Sequence, residues 1–373
     1  MGKRGTALAA IVGSAVVGLA VVGTGGTAVA EPPADRAGRV DRQVVQRAVD
    51  EMARTGAQGV QVRITDGRRQ WTARAGTAEV GSPRPVPTDG RFRVGSITKT
   101  FVSTVVLQLV GEGRVELDAP VQRYLPGLLP QGDRITVRHL LQHTSGLYNY
   151  TAALPLDPDG LLANRYRTWT PAELVALSTA RPLDFEPGTG WRYSNTNYVV
   201  AGMLVEEVTG RPYREAVAQR VLRPLGLRST FLPGTRTDVP GPHAHGYVRA
   251  GGQVVDITEL NPSVASAAGE MISTTADLDR FLDALLAGRL LRPAQQAELT
   301  STTPISNGYG LGVEATQLPC GVTVWGHGGD IPGYSSLMVG TPDAKTRLTA
   351  SVTSAPDPGA VTGVEELLNE VFC

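Results

Sequence analysis

Lysine is almost missing from this sequence. Lys3, Lys99 and Lys345 are the whole set, and every other basic residue is arginine. There is also no charge imbalance: 35 basic and 35 acidic side chains give a formal charge of zero at pH 7. With no positive excess and no local basic stripe, the long-range attraction that draws a protein to a phosphate backbone is lacking, which excludes nucleic-acid binding. Phosphate-loop and dinucleotide fingerprints are lacking too, and Ser145 has no glycine two residues before it to make a nucleophile elbow. No internal repeat or low-complexity tract occurs. Beyond residue 30, no apolar run is long enough to cross a bilayer. Cysteine is limited to Cys320 and the terminal Cys373. A chain-terminal cysteine is a poor place for a rigid nucleophile, so the pair reads as one structural disulfide in an oxidising compartment. Closing a loop of roughly fifty residues stabilises by about 4 kcal/mol in the chain-entropy view.

What is present begins with an address. Lys3 and Arg4 precede an apolar run from Ala7 to Val22, a small polar stretch from Gly23 to Thr27, and Ala28-Val29-Ala30 before Glu31. This is the pattern of a signal peptide over residues 1–30, cleaved after Ala30, and it predicts a secreted, extracellular protein with no membrane attachment after cleavage. At 41% hydrophobic residues with 44 glycines and 26 prolines, the rest is globular and rich in loops. About 340 mature residues predict one large domain, 31–373, divided into two lobes.

Periodicity assigns the elements. Val44, Val45, Ala48, Val49 and Met52 follow a helical spacing within 40–55. Val60, Val62 and Ile64 alternate along a strand over 59–65, Asp66-Gly67 turns the chain, and 70–75 returns as its hairpin partner. A helix is predicted over 98–110, ended by Gly111 and Gly113. From 135 to 291 the pattern is helices and loops, with helices at 140–142, 171–178, 198–208, 214–221 and 277–286. Strands resume at 322–325, 334–339 and 347–352, and 361–372 closes as a helix. Strands at both ends around a helical middle predict an α/β (α+β) fold. Its antiparallel sheet is built from both chain ends (about 40–115 and 300–373) and flanked by helices, with an all-helical lobe (about 116–299) inserted. The cleft between the lobes is the expected ligand site.

Three clusters carry chemistry. Ser96 and Lys99 lie three residues apart at the start of the 98–110 helix, on one face and within side-chain reach. A lysine so placed can take the serine proton if burial disfavours its charge, and the helix N-terminus favours developing negative charge. Tyr193-Ser194-Asn195 precedes an apolar helix. Tyr193 can act as a base on Ser96, with a phenol pKa lowered by Lys99, and Asn195 can donate to a substrate carbonyl. Finally, His327-Gly328-Gly329 ends the 322–325 strand, where the glycines let a substrate backbone lie against the edge. His243 and His245 lack a third metal ligand at clear spacing, and His143 reads as a turn or supporting residue.

In this order the clusters resemble the penicillin-recognising serine hydrolases, with Ser-x-x-Lys, then Tyr-x-Asn, then a Lys- or His-led triplet ending in glycine. The stretch Leu140 to Leu147, containing His143-Thr144-Ser145-Gly146, and the run from Ala268-Gly269 to Asp277-Leu278 add to the likeness. Tyr-x-Asn points to the branch of class C β-lactamases and D-alanyl-D-alanine carboxypeptidases. The resemblance implies a β-lactamase/transpeptidase-like fold, with Ser96 as nucleophile, Lys99 as its activator and Tyr193 as general base and later acid. It implies that Asn195 positions the substrate amide and that the strand carrying His327, Gly328 and Gly329 binds substrate as an added strand. The backbone N–H groups of Ser96 and Asp330 would form the oxyanion hole, and no metal or organic cofactor is needed. Gly328 and Asp330 depart from the pattern, since carboxylate-binding relatives usually carry hydroxyl residues there. An acid at 330 would repel a terminal carboxylate unless it points away or pairs with an arginine.

The leading expectation is a secreted D-alanyl-D-alanine carboxypeptidase acting on peptidoglycan stem peptides and acylated by β-lactams. Esterase, D-aminopeptidase or amidase, and class C-like β-lactamase activities share the scaffold. A penicillin-binding sensor without turnover is the non-enzyme alternative.

Overall fold

The strands predicted at the two ends of the chain meet in one six-stranded sheet. The computed structural model describes residues 40–354 and 361–373, so the signal peptide expected over 1–30 falls outside the described residues. The sheet comprises β1 (Ala57–Asp66), β2 (Arg69–Gly76), β7 (Glu314–Gln317), β8 (Thr323–Ile331), β9 (Tyr334–Gly340) and β10 (Thr346–Ser354). Its spatial order is β2-β1-β10-β9-β8-β7, antiparallel at each pairing. The first and last thirds of the chain join where β1 lies against β10, with Val62 opposite Ala350.

Both faces of the sheet are covered. On one, Val60, Val62 and Ile64 pack with Val45, Ala48, Val49 and Met52 of the Arg42–Thr55 helix and with Leu367 and Val371 of the Val364–Phe372 helix. Asp41 caps the first of these helices by accepting the N–H of Gln43. The polar alternates of β1 turn to the other face yet are also buried: Thr65 donates to Asp279 on the Thr275–Leu286 helix at 3.0 Å. Arg347 of β10 reaches the same Asp279, a buried pair tying sheet to helix. Behind them, the Thr98–Gly111 helix is buried along nearly its whole length, with Phe101 stacked on Phe281 at 3.7 Å.

The structure differs from the sequence reading in two places. The middle of the chain is largely helical, but not wholly. It also holds the hairpin β4 (Tyr247–Ala250) and β5 (Gln253–Asp256), turned by Gly251-Gly252 at positive φ, and β6 (Ile272–Ser273), paired with β3 (Phe92–Arg93). Secondly, β8 does not stop before the glycine-rich triplet. It runs through it to Ile331, because β9 pairs with it residue for residue and the hairpin closes at Pro332-Gly333 instead.

Candidate active site

Ser96 stands in a single 3-10 turn, Gly95–Ile97, that feeds directly into the Thr98–Gly111 helix. One helical turn on, Lys99 projects back toward it and is fully buried. The Lys99 Nζ lies 2.9 Å from Ser96 Oγ, 2.8 Å from Asn195 Oδ1 and 2.7 Å from the Ala268 carbonyl. The last two partners can only accept. A neutral amine therefore spends its two N–H bonds on them and turns its lone pair to the serine hydroxyl. Burial pushes the Lys99 pKa well below its ordinary value, which favours that neutral form.

Tyr193 closes the group from the other side. It precedes Ser194, the N-cap of the Asn195–Thr209 helix, and its ring packs 4.9 Å from Lys99 Nζ. Burial drives the pKa of its hydroxyl well above the usual phenol value, with Glu314 and Asp330 pushing the same way and Ser96 opposing. The sequence reading had Lys99 lowering this pKa. In the fold, the cost of burying a phenolate dominates, so Tyr193 is a neutral hydroxyl. Asn195 commits its Oδ1 to Lys99, which leaves only its NH₂ for a substrate carbonyl.

His143 belongs to the support of this group. It is fully buried at φ +61°, its ring lies 4.3 Å from that of Tyr193, and its Nδ1 accepts the Ser194 N–H at 3.2 Å. Asn197 Nδ2 lies 3.0 Å from the same nitrogen. The stretch around His143 thus holds the tyrosine segment in place.

The third wall is β8. A Cβ on Gly329 would fall 2.0 Å from the Val94 carbonyl and 3.0 Å from the Ser96 N–H nitrogen, and one on Gly95 would fall 2.8 Å from the Asp330 backbone. The two glycines let strand and nucleophile turn press together, bringing the backbone N–H groups of Ser96 and Asp330 to one place. Ser336 of β9 fastens the contact by donating to Val94 O at 2.9 Å. The expectation that both triplet glycines clear room for substrate is thus corrected for Gly329, which makes room for the nucleophile segment. Gly328 has nothing closer to its Cβ position than Ser336 O at 3.8 Å.

His327 is buried and internally satisfied. Its Nδ1 pairs with the Gly328 carbonyl, so Nε2 accepts from the Tyr309 hydroxyl at 2.7 Å. Burial pushes its pKa down to about 3. Asp330 is exposed and faces across the hairpin, accepting from Ser335 Oγ at 2.6 Å. Its partner is a serine, and no arginine among the described residues pairs with it.

Tyr309, Glu314 and the Ala268 carbonyl complete the site without having been singled out as site residues from sequence. The tyrosine holds His327, and Glu314 opens β7 opposite Gly326, where the Gly328 backbone favours its anion. The Gly-Tyr-Gly-Leu-Gly run just before Glu314 was the one local signal for a conformationally special segment there. His243 and His245 lie elsewhere, stacked at 5.0 Å, with their Nδ1 atoms on Gly241 O and Asp256. Cys320 and Cys373 are joined in a disulfide, as their pairing predicted.

Comparison with known proteins agrees with this geometry. A D-stereospecific amidohydrolase from Streptomyces sp. superposes with a TM-score of 0.82 at 45% identity, covering 89% of this chain and 99% of that one. The D-amino acid amidase of Ochrobactrum anthropi SV3 gives 0.77 at 32% identity, with 88% and 95% covered. A penicillin-binding protein of Bacillus subtilis strain 168 is 30% identical over 281 residues, 71% of this chain but only 61% of that protein's length. The family model described as Beta-lactamase matches residues 44–370. With Ser96, Lys99 and Tyr193 in mutual contact on the fold this match implies, the chain belongs to the beta-lactamase family of serine hydrolases.

Proposed function

We propose that this chain is a secreted amidohydrolase that acylates Ser96 with D-configured acyl donors, D-amino-acid amides foremost. The observation that carries it is the Lys99 amine, whose two acceptor-only partners leave its lone pair for the Ser96 hydroxyl. Lys99 takes the serine proton as Oγ forms its bond to the substrate carbonyl carbon. The oxyanion is met by the N–H groups of Ser96 and Asp330. As the C–N bond breaks, the neutral Tyr193 hydroxyl gives its proton to the departing amine, and the proton that Lys99 took from Ser96 restores the phenol. Water then cleaves the ester by the same path in reverse, with Asn195 NH₂ facing the bound substrate.

The choice of amide over the carboxypeptidase substrate expected from sequence rests on the β8 edge. A C-terminal carboxylate needs a cation, and here Asp330 and Gly328 stand where hydroxyl residues were expected, with His327 held neutral. The two similar solved structures are of D-selective amide hydrolases, which supports the same choice. The carboxypeptidase reading keeps the support of the penicillin-binding relative.

One panel separates the two. The protein recovered from culture medium, beginning at Glu31, is assayed on D-phenylalanine amide, its L-enantiomer and acetyl-D-Ala-D-Ala. D-phenylalanine amide is expected to have the highest kcat/KM, with the acyl group on the peptide carrying Ser96. Faster turnover of acetyl-D-Ala-D-Ala would overturn the amidase reading in favour of the carboxypeptidase. An N-terminus retaining residues 1–30 would overturn the proposed export.

A further inference from the structure

Glu314 takes no part in the proton path, yet it faces the catalytic edge. It opens β7 opposite Gly326 of β8, two residues before Gly328 and on the same face of the sheet, and the Gly328 backbone favours its anion. Its charge is felt at Tyr193 and at Tyr309. The strand β7 covers β8 only from Thr323 to Gly326. Beyond that point β8 is paired with β9 on one side, while its other side runs past the Ser96 turn. An acid therefore stands at one end of the stretch that β7 leaves unpaired, and Asp330 lies at the other.

The described cation and histidine nearest Ser96 are already engaged. Lys99 is enclosed by Ser96, Asn195 and Ala268, and His327 has both ring nitrogens engaged. Gly328 offers no side-chain donor between them, although a side chain would fit. Burial lifts the Glu314 pKa, and the Gly328 backbone, which favours the anion, opposes the lift.

We propose that Glu314 makes the β8 edge an acidic subsite that refuses a substrate carboxylate and admits neutral or cationic groups in its place. The inference rests on the amidohydrolase reading above and names the substrate class that reading serves: amides and peptides uncharged or positive beside Gly328. A carboxylate brought to within several ångströms of Glu314 in a half-buried setting is disfavoured by about tenfold or more.

A matched pair isolates the charge. D-phenylalanyl-glycine and D-phenylalanyl-glycinamide share one scissile bond and differ only in the terminal group. The wild type is expected to cleave the glycinamide with a kcat/KM about tenfold or more above that of the acid. In Glu314→Gln this ratio falls toward one, whereas Glu314→Asp keeps most of it. A ratio unchanged in Glu314→Gln overturns the proposal, as does its equal collapse in Glu314→Asp, which would make the effect one of packing. Each variant's melting temperature is measured alongside, and the ratio is internal to one folded preparation. A wild type that cleaves both without preference sinks the Glu314 subsite alone. A wild type that cleaves neither, nor D-phenylalanine amide, sinks the amidohydrolase reading and the subsite with it.

Discussion

The two sides of Ser96 are built on opposite principles. On the lysine side everything is enclosed: Lys99 has no exposed surface, three oxygens surround its Nζ, and His143 and Tyr198 pack behind the tyrosine segment. On the β8 side the strand edge lies open, Gly328 leaves space, and the charges in reach are acids. The enclosed side can perform proton transfer because burial sets which forms are charged. The open side has no such control over protons, and it selects what is brought to them. Chemistry common to the family and substrate choice peculiar to this chain are thus separated by the width of one serine.

The sharpest break of that contrast is Lys99→Arg. Arginine carries a positive charge that it cannot shed at accessible pH, and it has no lone pair to turn to the Ser96 hydroxyl. If the enclosed side works by proton transfer, acylation falls by about a thousandfold. The measurement is single-turnover acylation by a D-amino-acid ester or fluorescent penicillin. Acylation within tenfold of wild type would show that Lys99 acts only as a fixed charge. In the wild type, the depressed Lys99 pKa places the rise of kcat/KM with pH well below the range of an ordinary lysine.

Burial beside the open edge also has a cost that pH exposes. His327 is held neutral down to about pH 3, whereas an unfolded histidine takes its proton near 6.5. Between these values the unfolded chain binds a proton that the folded one refuses. Stability is therefore retained above 6.5 and lost as pH falls toward 3, by up to about 1.4 kcal/mol per pH unit from this group. Denaturant titrations of wild type and His327→Asn at pH 6.5, 5.5 and 4.5 test this. The amide can still donate to Gly328 O, so the variant should lose stability more gently with acid, whatever its stability at pH 6.5. Parallel lines for the two proteins would refute a buried, neutral His327.

How much of this was legible in the sequence follows the distance over which each feature is made. Ser96 and Lys99 are three residues apart, so helical geometry alone brings them together. Tyr193 and Asn195 could be paired with them only through a resemblance, because the contact spans the fold. The strand carrying His327 was seen, but its length was not: Gly328-Gly329 looks like a strand end, and only pairing with β9 carries β8 through it. Glu314 was invisible for the same reason, since β7 has four residues and becomes a strand by lying on β8. The β4–β5 hairpin was missed although Gly251-Gly252 between alternating flanks is a local turn signal. The sign of the Tyr193 shift was beyond the sequence altogether. It depends on how completely the phenol is buried.

The smallest effect lies between two neighbouring glycines, where the enclosed and open sides touch. Gly329 presses on Val94 O at a distance no Cβ can share, so Gly329→Ala must move either β8 or the nucleophile turn. Overpacking of this kind costs about 1–3 kcal/mol, and here it also displaces the Asp330 N–H from Ser96. Lower stability and a lower kcat are expected together. Gly328→Ala meets only Ser336 O at 3.8 Å, so its melting temperature should stay near wild type. Gly328→Ser adds a donor beside Glu314 at the same low steric cost. It should raise turnover of D-phenylalanyl-glycine relative to the glycinamide by about threefold, the worth of one modest hydrogen bond. If Gly329→Ala and Gly328→Ala destabilise equally, both glycines serve packing. The open side would then have no unfilled position at which substrate choice could be rewritten.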